Sequence, residues 1–242
     1  MTMDAQIQEI KSIFISELWL PLSVQFGNVK APRIKKNKNF RFFTLTTGFD
    51  YSEIEKFVKS NISNYKNTVA WTNNSIKKLR IESGVPVDVY NQAKYEDISL
   101  EQHLIANCFP FDIINLDFLS QDDWNSSDKL VKVIKSYSDT VKCQDAKDSS
   151  RFLIILTVPF DNFPILREQF NILRDSPGVI TKLSSFPDLI QNTDEKISFI
   201  EALLIAIVSD SGFGVTDCKT KTTRQPISAI SVAIIAKARE HS

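Results

Sequence analysis

Phe109-Pro110-Phe111-Asp112-Ile113-Ile114-Asn115-Leu116-Asp117-Phe118-Leu119-Ser120 is the segment from which the rest of the chain can be read. A proline-led apolar run ends in an acid, then passes into the polar Gln121-Asp122-Asp123. Such a run predicts a strand buried on both faces, as in a parallel sheet. Asp117 then falls at the strand's carboxyl end, where open α/β sheets bind ligands.

Strand–helix units extend to either side. Phe40–Thr46 is aromatic and β-branched, a strand running into the turn Thr47-Gly48-Phe49-Asp50. Ser52 with Glu55 forms a capping box, and Ile54, Phe57, Val58 and Ile62 follow at helical spacing. Thr68–Thr72 is a second strand, followed by a short helix with Ile76 and Leu79 inward and Gly84 as its stop. Val85–Tyr90 is a third strand, placed at an edge by Pro86. Ser99 with Gln102 opens a helix to about Asn107, and Ser127–Ser138 is another. Arg151–Val158 is a second fully buried strand.

Residues 159–193 are irregular, with prolines at 159, 164, 177 and 187 and one possible helix around Pro164–Arg174. A segment of this length between regular elements is usually functional or partner-facing. Helix resumes over Thr193–Ser209. The closing strands, from Phe213 and from Ile227 to Ala238, lie too close in sequence for a crossover helix and predict an antiparallel hairpin. Before all of this, Ile7, Ile10, Ile13, Phe14 and Leu18 make a helical stripe over residues 4–20, covering a sheet face or meeting a partner.

The chain has 242 residues, 29 basic and 29 acidic, so net charge gives no push toward nucleic acid or membrane. Any polyanion binding must come from a local patch. The one dense basic run, residues 30–41, is either a solvated loop or a phosphate-contacting strip using Lys35, Lys36, Lys38 and Arg41. Cys108, Cys143 and Cys218 lack C-x-x-C spacing, and His103 and His241 complete no metal set, so buried reduced thiols are expected. The early acids do not suit a signal peptide, and the longest apolar run, Ala202–Val208, is far short of a ~20-residue span. The expected location is the cytoplasm. Neither a Walker motif nor a G-x-G-x-x-G occurs, which disfavours nucleotide hydrolysis and ordinary dinucleotide redox chemistry. Trp71 suits packing, and Trp124 suits packing or a place along the crevice beside Asp117.

The order of elements resembles the Rossmann-like fold of S-adenosylmethionine-dependent methyltransferases, over roughly residues 38–158 and 193–238. The resemblance implies an α/β fold: a mostly parallel sheet with a C-terminal antiparallel hairpin and helices on both faces. It divides the chain into an N-terminal helix and basic linker, 1–38, and a methyltransferase-like domain, 39–242, with the insert at about 159–193. Asn115-Leu116-Asp117-Phe118 resembles the acid-plus-aromatic loop that faces the target atom in amino- and base-methylating members, implying roles for Asn115, Asp117 and Phe118 at the acceptor. By the same likeness the cofactor would lie over Thr46, Thr47 and Gly48, with Asn73 at the ribose and Gln92 near the adenine.

Three positions depart from the family pattern. Thr44-Leu45-Thr46-Thr47-Gly48 has one glycine and no acid where acid-x-Gly-x-Gly is usual, and an added Cβ intrudes where backbone must approach a ligand. Asn73 and Gln92 put amides where acids are usual, trading a charged hydrogen bond of ~1.5–3 kcal/mol for a neutral one of ~0.5–1.5. Three contacts weakened by ~1 kcal/mol each raise a dissociation constant on the order of a hundredfold. The resemblance then implies one of two roles. The first is a non-catalytic or specialised subunit of a larger assembly, docking through the N-terminal helix and 159–193. The second is an active methyltransferase acting on nucleic acid or another nitrogen acceptor.

Overall fold

The computed structural model describes residues 2–30, 40–45, 52–73, 75–91, 94–97, 108–119, 124, 127–144, 151–160, 163–173, 177–225 and 227–239. Thr46, Thr47, Gly48, Gln92, Lys35, Lys36, Lys38 and the helix expected over 99–107 lie outside the described residues.

The chain opens with helix α1 (Met3–Phe14), its first turn capped by the Thr2 hydroxyl. α1 runs straight into a widened π turn (Ile15–Trp19) and then α2 (Leu20–Lys30). The widened turn precedes Pro21, which has no N–H for a regular helical bond, and Leu20 instead donates to Ile15. The helical segment is therefore longer than the expected 4–20.

Strand β1 (Phe40–Leu45), helix α3 (Ser52–Lys59), strand β2 (Ser63–Thr72), helix α4 (Ser75–Gly84) and strand β3 (Asp88–Asn91) follow. β4 (Ile113–Asp117) is the central strand of the reading above. After it come α5 (Ser127–Cys143) and β5 (Arg151–Pro159). In the insert, β6 (Ile165–Leu166) pairs with β7 (Leu189–Ile190), and helix α6 (Pro177–Leu183) lies between them. The helix expected at 164–174 is a 3-10 segment over Arg167–Leu173. α7 (Thr193–Asp210) leads into the hairpin β8 (Phe213–Thr223) and β9 (Ala229–Ala238).

The main sheet has the order β3-β2-β1-β4-β5-β9-β8. β3, β2, β1, β4 and β5 run parallel to their neighbours, whereas β9 is antiparallel to both β5 and β8. β3 is an edge, as Pro86 foretold. β2 begins five residues earlier than its apolar pattern, because Ser63 bonds the Phe40 carbonyl and Asn61, at φ 55, supplies the left-handed turn out of α3. β8 is the opposite edge; its register breaks between Val215 and Asp217, and Lys219 and Lys221 follow the break.

Period-two alternation divides the core. Phe42, Ile113, Leu153 and Ile155 face α1, α2 and α3, where Phe42 stacks on Phe57 at 4.5 Å. Phe43, Ile114, Leu116 and Ile154 face α5 and α7. The stripe of α1, Ile7, Ile10 and Phe14, is spent on the first of these faces.

Candidate functional site

Alternation also decides which polar groups meet. Thr44 and Asn115 are register partners on β1 and β4, two residues beyond Phe42 and Ile113 and on the same face. Asp117, two further along β4, shares that face. All three are completely buried.

Two helices bring charge to them. Glu53 sits four residues before Phe57, on the buried side of α3, and is 6% exposed. It accepts hydrogen bonds from Thr44 Oγ1 at 2.5 Å and Asn115 Nδ2 at 2.6 Å. Lys11 lies on the same stripe of α1 as Ile7 and Phe14; only 4% exposed, it places Nζ 2.5 Å from Asp117 Oδ2. Asp117 Oδ1 also accepts the Leu119 N–H at 3.0 Å. The carboxyl ends of β1 and β4 thus enclose one ammonium facing two carboxylates.

Burial pushes the Glu53 carboxyl up to about 6. Lys11 pulls it down, Asp117 pushes it further up, and the hydrogen bonds from Thr44 and Asn115 lower it. Desolvation wins because taking a carboxylate out of water costs more than one shared cation returns.

The residues singled out in the sequence divide as follows. Asn115 and Asp117 lie on one face of β4, both buried at its carboxyl end. Phe118, completely buried, belongs to the core on the other face. Its carbonyl accepts the Trp124 indole N–H at 3.1 Å, and Trp124 stacks on Phe163, so Trp124 packs rather than lining the crevice. Asn73 is exposed just beyond β2. Arg41 gives its guanidinium to the carbonyls of Pro110, at 2.7 Å, and Cys108, over the Phe111 ring. Trp71 packs against Tyr90 and Tyr95. Burial beside Glu201 pushes the Cys218 thiol up to about 12, which keeps it protonated and unreactive.

Lys11 and Glu53 were not anticipated. The available signal was an opposite-charge pair on two otherwise apolar helical stripes: Lys11 at i+4 from Ile7, and Glu53 at i−4 from Phe57.

No family model matches this sequence, and a search of curated proteins finds no match. Some solved structures are similar to this chain at low identity. One is a magnesium protoporphyrin IX methyltransferase from Synechocystis, at 14% identity over 96% of this chain and 83% of that one, TM-score 0.46. A plantazolicin methyltransferase matches at 12% identity over 96% and 90%, TM-score 0.45. A TehB-like methyltransferase from Corynebacterium glutamicum matches at 7% identity over 96% and 95%, TM-score 0.43. Among the described residues no helix is long and apolar enough to cross a membrane. With five parallel strands and an antiparallel pair β9-β8 closing the order β3-β2-β1-β4-β5-β9-β8, this chain has a Rossmann-like methyltransferase-type fold.

Proposed function

We propose that the protein is a methyltransferase-like domain with a degenerate cofactor pocket, serving as a non-catalytic or specialised subunit of a larger assembly. The observation that carries this reading is the Lys11–Asp117 pair, closed at 2.5 Å with both groups buried. The acid that would hold an acceptor is neutralised from within the chain. A sulfonium cofactor brought between β1 and β4 meets an ammonium and packed side chains, so the residues described there do not fit S-adenosylmethionine.

A protein partner is supported by the insert. Ile172, Ile180 and Leu189 stand exposed there. Beside them Phe170 and Leu183 floor a groove of about 220 Å³ rimmed by Arg167, Glu168 and Asp188. That volume is below the ~300–1,000 Å³ of small-molecule pockets and suits a side-chain anchor.

Calorimetric titration with S-adenosylmethionine tests the first part. Silence up to several millimolar supports the non-catalytic subunit. Binding below a millimolar that is lost in Gly48→Trp overturns it in favour of an active methyltransferase. For nucleic acid as acceptor, affinity should fall with salt and with neutralisation of Lys35, Lys36 and Lys38. A curve flat in salt removes that role.

A further inference from the structure

The insert between β5 and α7 concentrates exposed apolar surface. Three of the four large hydrophobic side chains exposed among the described residues, Ile172, Ile180 and Leu189, lie in it. Gathering them in one segment marks a contact surface rather than scattered exposure. Phe170 and Leu183, both buried, floor the groove there, and Ile180 forms part of its wall. Bonds within the fold hold the groove in shape. The Arg167 N–H donates to the Asp188 carbonyl at 2.9 Å, and the Asp210 carboxylate accepts the Val179 N–H at 3.0 Å. A side chain entering the groove meets walls that are already ordered, which lowers the cost of binding.

The rim carries a negative excess. Arg167 spends its guanidinium within the insert, on the Phe186 carbonyl at 2.8 Å and on the Asp188 carboxylate. Asp188 still faces water, its side chain 88% exposed. Glu168 is exposed and, among the described residues, joins no ion pair. One guanidinium therefore stands against two carboxylates around the groove. Helix α6 does not offset them: Ile180, Leu183 and Ser184 line the groove at i, i+3 and i+4, and Lys182 lies off that stripe. An acidic rim over an apolar floor complements an apolar side chain with a cation next to it. We propose that the groove receives, from a protein partner, one apolar side chain with a lysine or arginine beside it. The inference rests on the reading above that the insert meets such a partner.

Methyl NMR of Ile180 and Leu183 in the full chain, titrated with isopentylammonium, isopentanol and isovalerate, provides the test. The three probes share a branched alkyl end and differ in charge. The ammonium should bind more tightly than the alcohol by up to about fivefold, and the carboxylate most weakly. Glu168→Gln should shrink the ammonium's advantage and leave the alcohol unchanged. Ile180→Ser, at an exposed position, should weaken all three. Groove methyls that do not shift with any probe overturn the proposal. So do equal affinities for the three, or an ammonium preference that Glu168→Gln leaves untouched. Sedimentation in which Ile180→Ser or Glu168→Lys dissolves a dimer would give the groove to a second copy of this chain and overturns it as well. S-adenosylmethionine binding would overturn the non-catalytic reading but leave this charge preference intact.

Discussion

Trp19, in the widened turn between α1 and α2, donates its indole N–H to Ser231 Oγ of β9 at 2.9 Å. Ser231 in turn lies 2.8 Å from the Thr157 hydroxyl of β5. A hydrogen-bonded chain therefore ties the first helical segment to two neighbouring strands, 212 residues away in sequence at its first link. Trp19→Phe should lose a bond worth ~1 kcal/mol and leave part of the indole space empty, for a total of about 2 kcal/mol. Urea denaturation measures this; a loss below about 0.5 kcal/mol would show the segment to be a passive cover.

Glu53→Gln should make the protein more stable at neutral pH. A carboxyl raised in the folded state from 4.5 to about 6 contributes stability that is complete below pH 4.5 and lost as pH climbs through 6. At pH 7 the ionised group costs roughly 2 kcal/mol, which the neutral amide avoids. Denaturation midpoints of the two proteins should converge near pH 4.5 and separate above 6. A variant less stable than wild type at pH 7.5 would show that Glu53 is needed there as an anion.

The buried pairs should behave unlike the exposed ones. Lys11→Met strands two carboxylates, and Asp117→Asn removes the partner of a buried ammonium; each should cost about 3–5 kcal/mol. The double variant should cost clearly less than their sum, and strict additivity in a double-mutant cycle would deny the coupling. Lys129, 2.8 Å from Glu96 with both largely buried, should follow the same rule. Lys135, paired with Asp139 one helical turn away on α5 and 46% exposed, should cost under ~0.5 kcal/mol when changed to alanine.

Gly178→Ala should loosen the insert. A Cβ there collides with the Asp210 carboxylate, which also accepts the Val179 N–H at 3.0 Å and so seats the start of α6 against the end of α7. Relieving the collision costs about 1–3 kcal/mol. Limited proteolysis should then cut within 163–190 at an accelerated rate, with the sheet intact. Unchanged cleavage would mean that α6 is anchored elsewhere.

The positions of the strands were legible because their signals are local. Apolar runs at 111–118 and 152–158 marked the central strands, and Pro86 marked an edge. Asp117 could be placed at the strand's carboxyl end for the same reason. The partner of Asp117 could not, since Lys11 is distant in sequence and sits on a stripe that reads as apolar packing. Glu53 was hidden by its neighbours: Ser52 and Glu55 read as a helix start, and the acid between them drew no role. Phe118 shows the cost of reading a motif without its pleat, because one step along the strand turns a side chain to the opposite face.

The terminal strand β8 has a bearing on how the molecule keeps company. Its kink at Val215–Asp217 and the ammonium groups of Lys219 and Lys221 spoil it as a template for another chain's backbone. Fibre-like growth from that border is discouraged, and a neighbour meeting β8 has to recognise side-chain shape and charge rather than stitch on a strand.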